Sequence, residues 1–239
     1  DGSDMMGSLR NPAGWNEIYG FRPTWGWVPP EPQGDLFLHP LSTNGPMARS
    51  PEDLALLLDV MAGGDPRLPL ARGAHPVQPL ASPGPLRLGW LGDWGGAYPM
   101  EAGVLDCCET GLARFAAQGH RIDRLDAPFP AAQIWQAWIT LRSYAVAAGL
   151  RPLADRRAHL KDTALWELDR GLALSAAQVQ AASDIRSDWM RAAAQLFQTY
   201  DALLLPTAQC WPFPVEWSYP TEIAGRAMDT YHRWMEVVV

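Results

Sequence analysis

The stretch from Leu86 to Leu125 constrains the fold more than any other part of the chain. Leu86–Leu91 (LRLGWL) reads as a buried strand, residues 100–118 as a helix stopped by Gly119, and residues 120–125 (HRIDRL) as a second, alternating strand. Strand, helix, strand is the mark of a sheet covered by helices, so an α/β architecture is expected. Residues 201–206 (DALLLP) add a short apolar strand ended by a proline. Between these strands, residues 131–149, 155–171 and 176–199 read as three helices rich in Ala, Leu and Trp. Upstream, Ser50-Pro51-Glu52-Asp53 is a strong helix start, with serine at the N-cap, proline at the first helical position and acids in the first turn. Leu54, Leu57, Leu58 and Met61 follow on one face, and Gly63-Gly64 ends the helix. The Pro-rich residues 64–85 read as a surface connection. Residues 221–234 are expected to be helical, and the apolar run Val237-Val238-Val239 suggests that a further element belongs after it.

Composition narrows the function classes. Hydrophobic residues make up 48% of the 239 and charged residues 19%, which allows a sizeable core and excludes chain-wide disorder. Gly 21 and Pro 22 are abundant but without a short period. The net charge of −7 lacks the basic footprint of a general nucleic-acid binder. No apolar run approaches the roughly 20 residues that cross a bilayer. Cys107 and Cys108 are adjacent and Cys210 is distant, so no zinc or CxxC spacing exists. With no signal peptide read at the start, free thiols in a reducing, cytoplasmic compartment are expected. The five histidines, His39, His75, His120, His159 and His232, have no ligand spacing. The only lysine is Lys161; every other basic residue is arginine. The first residues, Asp1-Gly2-Ser3-Asp4, lack a methionine, which suggests a processed chain or a fragment.

The segment that carries chemistry is residues 2–13, GSDMMGSLRNPA. A tight turn ending at Gly7 presents Ser8, and glycine there lets backbone approach a ligand closely. The amides of Met5, Met6, Gly7 and Ser8 could converge into an anion-binding nest. A serine beside its own oxyanion hole is the layout of acyl transfer. On pattern alone, a polar turn leading into a short helix is an equal reading.

The same string, followed by Gly20-Phe21-Arg22-Pro23-Thr24, resembles the signature of the amidase signature family of serine hydrolases. The resemblance continues through residues 45–53 (GPMARSPED), the LRLGWL strand and residues 200–207 (YDALLLPT), and is loosest at 125–195. It implies a mixed central sheet flanked by helices, forming one amidase-type domain over 1–239 that is incomplete at both termini. Ser8 matches the family's acylated nucleophile, and the backbone amides of Met5, Met6, Gly7 and Ser8 match its oxyanion hole. Ser3 stands where the family has a supporting Thr or Ser; Asp4 and Arg10 match a charged pair that holds the loop. Met6 departs from the pattern, replacing the first glycine of a Gly-Gly-Ser, and is read as a trait that tunes the substrate. The family's Ser-Ser-Lys triad draws its lysine and its second, cis-peptide serine from upstream of the nucleophile block, and only seven residues precede Ser8. Lys161, beside Asp162 on an amphipathic helix, reads as a surface residue and no substitute.

Trp135, Trp138 and Leu141, spaced by three, read as core packing. Trp211, Phe213, Trp217 and Tyr219 follow in a Pro-rich loop; the resemblance places this loop near the substrate pocket, with Trp211 and Phe213 as candidate walls for an apolar or aryl acyl group. The implied activity is hydrolysis of a carboxamide on a small-molecule substrate, without metal or organic cofactor. No nucleic acid or membrane is implied as a direct partner, and a homodimer is the candidate assembly. The 239 residues alone are expected to be poorly soluble and inactive, with exposed sheet edges and uncovered apolar surface. Two rival readings are the A subunit of a glutamine-dependent aminoacyl-tRNA amidotransferase and a non-catalytic truncated remnant.

Overall fold

The computed structural model describes residues 1–38, 40–73 and 84–239; His39, His75 and most of the second half of the 64–85 connection lie outside them. Two short antiparallel pairs frame the N-terminal segment. β1 (Gly2–Asp4) pairs with β3 (Thr43–Gly45), and β2 (Tyr19–Gly20) with β4 (Met47–Ala48). Between β1 and β2 lies the short helix α1 (Arg10–Trp15). Helix α2 (Pro51–Met61) begins as its sequence dictates: the Asp53 amide donates to Ser50 Oγ at 3.1 Å, with Pro51 at the first position. Of its apolar face Leu58 is buried, while Leu54, Leu57 and Met61 are half-buried.

The main sheet is parallel, with β5 (Arg87–Trp90) between β6 (Arg121–Arg124) and β7 (Ala202–Leu204). Helix α3 (Val104–Ala117) makes the crossover from β5 to β6. The expected strand-helix-strand unit is therefore present, with β7 added on its other side. A helical layer follows in sequence: α4 (Ala131–Leu150), a 3₁₀ stretch over Arg151–His159, α5 (Asp162–Leu172) and α6 (Ala176–Leu196). α6 opens with a capping box between Ser175 and Gln178. α4 packs closely on α5 because Gly171 has no side chain. A Cβ there would sit 2.2 Å from the Ser143 carbonyl oxygen and 2.4 Å from Ala147 Cβ. Among the described residues no helix is long and apolar enough to cross a membrane.

The C-terminal region differs from its expected helix. Residues 221–234 contain a hairpin of β8 (Glu222–Ile223) and β9 (Arg226–Ala227), followed by a 3₁₀ turn over Arg233–Val238. Ala224 and Gly225 both adopt positive φ, 49° and 76°, the conformation of a tight two-residue hairpin turn, and that turn overrides the helical pattern. The apolar end is also not uncovered. Val237 and Val238 are buried against Leu91, Trp94, Tyr98 and Ile134, where the sheet meets α4.

Candidate active site

The Asp4 carboxylate organises the loop that carries Ser8. Pairing of β1 with β3 sets Asp4 opposite Thr43, and its side chain is fully buried. Asp4 Oδ1 accepts the Gly7 amide at 2.7 Å, and Oδ2 accepts the Leu9 amide at 3.3 Å. Arg10 grips the same carboxylate with both tips of its fork, each at 3.0 Å, and Arg22 stands 3.6 Å away. Burial pushes the Asp4 carboxyl up, but the Arg10 hydrogen bonds and charge, with the Gly7 and Leu9 amides, outweigh it and hold it below its ordinary value. The loop is thus closed around a permanent anion.

Gly7 takes a positive φ of 85°, and a Cβ on it would lie 2.0 Å from Asn11 Oδ1 and 2.5 Å from Val238 Cγ2. This position admits glycine alone. Ser8 follows at the bend before α1 and is exposed. No hydrogen bond joins the Met5, Met6 or Ser8 amide to another described residue. The Gly7 amide, one of the four expected to face an oxyanion, is instead committed to Asp4. A turn that must bend through a left-handed glycine needs an acceptor for the amide it folds inward, and Asp4 is placed to be it. Asn11 is also buried beside this turn, with both polar atoms of its amide unpartnered among the described residues.

Behind the loop stands α4. Met6 is buried against Trp135, Trp138 and Ile139. The Trp138 indole N–H donates to the Met5 carbonyl at 3.2 Å, and Arg142 Nη1 lies 3.1 Å from Met5 Sδ. Core packing, the reading from the spacing of Trp135 and Trp138, is correct, but it missed the polar edge that Trp138 turns toward the loop.

Arg142 opens onto a buried charged cluster. Glu167 Oε1 accepts from Arg142 Nε at 2.7 Å, from the Tyr231 hydroxyl at 2.9 Å and from His232 Nε2 at 3.0 Å; Oε2 accepts from Ser143 at 2.8 Å. Burial alone would raise the Glu167 carboxyl. The His232 hydrogen bond, the Arg142 charge and the Ser143 hydrogen bond bring it down to about 2. Glu167 is then an acceptor only, so His232 Nε2 carries the proton and Nδ1 accepts from the Thr230 hydroxyl at 3.1 Å. Burial holds the His232 pKa below its ordinary value despite the neighbouring carboxylate, which favours the neutral ring at pH 7. Sequence spacing gave no sign of this cluster.

A cavity of about 720 Å³ adjoins the loop, lined by Met5, Arg10 and Arg22 on one side and by Ile134, Trp138, Leu141, Trp189 and Met190 on the other. The expected walls Trp211 and Phe213 do not line it. Phe213 is edge-on to Trp15 and Trp234, and the Trp211 indole N–H is bonded to the Ala102 carbonyl at 3.0 Å. Trp211 thus lies at the start of α3, and Phe213 lies against the 3₁₀ turn. Ser3 is exposed on β1 opposite Asn44. Lys161 is exposed at the N-cap of α5, as its acidic neighbour suggested.

Comparison with known proteins gives one consistent answer. The family model described as Amidase matches residues 1–239. An acylamidase from Rhodococcus erythropolis is 27% identical over 234 residues, 95% of this chain and 48% of that protein. The A subunit of a glutamyl-tRNA(Gln) amidotransferase from Deinococcus radiodurans is 51% identical, but over 67 residues, 28% of this chain and 14% of that protein. The crystal structure of a bacterial aryl acylamidase of the amidase signature family superposes with a TM-score of 0.86 at 24% identity, over 99% of this chain and 52% of that one. The chain thus spans about half the length of the relatives it matches.

Proposed function

Because this chain belongs to the amidase family, we propose that it supplies the nucleophile and oxyanion cradle of a serine-dependent carboxamide hydrolase. In this reading Ser8 Oγ attacks the amide carbonyl, and the uncommitted amides of Met5, Met6 and Ser8 receive the developing oxyanion. The C–N bond then breaks, the amine or ammonia leaves with a proton, and water releases the acid from the Ser8 ester. The observation that carries the reading is the exposed Ser8 at the head of a loop whose buried side is fixed by Asp4, Arg10 and the left-handed Gly7.

The base that takes the Ser8 proton is assigned to a part of the protein beyond these 239 residues. Lys161 is remote in role and exposed, and both ring nitrogens of His232 are engaged. The surface area supports a longer working protein. The chain exposes 13991 Å², where a compact monomer of this mass exposes roughly 10,600 Å². The cavity beside Met5 has an apolar wall that suits an aryl or aliphatic acyl group; Ser8 itself is not among the residues that line it. A role within an amidotransferase is the second reading, favoured by the locally high identity over 67 residues. The acylamidase likeness over 95% of the chain supports the hydrolase over it.

The test is turnover of p-nitroacetanilide by the full-length protein carrying this chain, with and without Ser8→Ala. A fall of about 10³-fold or more is expected, the scale set by loss of a nucleophile. Unchanged turnover in the alanine variant overturns the assignment.

A further inference from the structure

The loop is fixed on one face by Asp4, which takes the Gly7 amide, and on the other by α4. Among the described residues only one hydrogen bond crosses from α4 to the loop backbone: the Trp138 indole N–H to the Met5 carbonyl, 3.2 Å, between residues 133 apart in sequence. A trans peptide is planar, with its C=O and N–H pointing in opposite senses. The Met5–Met6 peptide is trans. Fixing the Met5 carbonyl toward α4 therefore fixes the Met6 amide away from α4, free of any described acceptor. The Met6 side chain cannot do this itself. It is packed on the same tryptophans, but a thioether chain with three rotors leaves the peptide plane free to tilt.

We propose that Trp138 is a positioning residue for the oxyanion hole: it orients the Met5–Met6 peptide so that the Met6 amide meets the tetrahedral intermediate. This rests on the reading of Ser8 as nucleophile. The indole is itself immobilised. Its ring is edge-on to His232 at 5.2 Å and lies under the Arg142 guanidinium at 5.4 Å. Arg142 in turn is tied to Glu167 and reaches Met5 Sδ. Methionine in place of a glycine at position 6 makes such a support useful, since the bulkier residue must be seated in one orientation for its amide to serve.

Trp135 is the built-in control. Its ring lies tilted, 5.2 Å from Trp138, and packs on Met6, yet it sends no hydrogen bond into the loop among the described residues. The experiment compares Trp138→Phe with Trp135→Phe in the full-length protein, on p-nitroacetanilide. Removing an oxyanion donor outright costs about 10²–10³ in kcat; misaiming one donor is expected to lower kcat about tenfold, with KM within about twofold. The inhibition constant of phenylboronic acid, which adds the serine oxygen to form a tetrahedral boronate, should rise by a similar factor. That of benzoate, which mimics no tetrahedral species, should move no further than KM, within about twofold, since Trp138 also forms part of the cavity wall. Trp135→Phe should keep kcat within about twofold. If the phenyl ring at 138 prevents folding, replacement of Trp138 by benzothienyl-alanine exchanges the N–H for sulfur in a ring of the same size and carries the same test. A wild-type kcat, or equal losses in both tryptophan variants, overturns the proposal. Should Ser8→Ala also keep full turnover, the nucleophile reading falls with it; if Ser8→Ala is inactive, the positioning role alone is refuted.

Discussion

Glu167→Gln tests whether the buried charge cluster holds α4 and the C-terminal turn together. The substitution keeps the volume and removes the charge. Glu167 is 1% exposed, and three of its four donors converge on Oε1. The glutamine amide oxygen has two lone pairs for those three donors, and the Arg142 charge is left without a counterion. Removing one partner of a buried pair costs about 3–5 kcal/mol; Arg142 keeps 18% of its side chain exposed, which points to the lower end. Linkage gives a similar figure. A carboxyl brought from 4.5 to about 2 contributes about 3 kcal/mol at neutral pH. For a chain of this size about 3 kcal/mol is a fall in Tm of roughly 6–12 °C. The sign with pH is fixed. The depressed carboxyl stabilises the fold above pH 4.5, and that contribution is lost as pH falls from 4.5 toward 2. Calorimetric melts at pH 7 and pH 3 should therefore show a wide gap between wild type and Glu167→Gln that narrows in acid. Equal Tm values at pH 7, or a gap that stays constant to pH 3, refute the reasoning.

Gly7→Ala forces a Cβ into Asn11 and Val238 at a positive φ. It should destabilise the protein by about 2 kcal/mol or more and lower turnover of the full-length protein at least tenfold, read by melting and by p-nitroacetanilide hydrolysis. Ser50→Ala removes the cap on α2 and should cost about 1 kcal/mol, a fall of a few degrees in Tm with no change in kcat. His232 has a lowered pKa, so its contribution is complete above pH 6.5 and is lost as pH falls below that. Stability in denaturant titrations should decline between pH 7 and 5 in the wild type, and less so in His232→Gln.

What the sequence made legible is what lies close along the chain. Asp4, Gly7, Ser8 and Arg10 fall within seven residues, so turn chemistry and hydrogen-bond geometry between neighbours suffice to read the loop, and the strand-helix-strand unit at 86–125 follows from periodicity. Illegible were contacts between distant residues. Trp138 meets Met5 across 133 positions and Glu167 meets His232 across 65. An apolar period tells that Trp138 is buried and says nothing of where its N–H points. The hairpin at 222–227 was missed for a related reason: a single Ala-Gly turn with two positive φ values carries little weight against a helical pattern of fourteen residues, yet decides the outcome. The aromatic residues at 211 and 213 follow from resemblance alone; in the structure the Trp211 indole bonds the Ala102 carbonyl and Phe213 packs on Trp15 and Trp234.

The near-exclusive use of arginine ties these observations together. Each buried carboxylate near the loop is answered by a guanidinium: Asp4 by Arg10 and Arg22, Glu167 by Arg142. A guanidinium stays charged and offers a fork of donors, which suits it to clamp a carboxylate and unsuits it to accept a proton. The one lysine is exposed. The one histidine inside the cluster donates through one nitrogen and accepts through the other. Among the described residues, then, the charged groups around Ser8 are built to hold shape rather than to exchange protons. Such a scaffold can present a serine and its oxyanion donors with little motion, and it leaves the acid–base step to a separate element. On the proposed reading, in which the base belongs to another part of the protein, changes at Trp138 and Glu167 should alter the depth of the rate profile and not its pH midpoints.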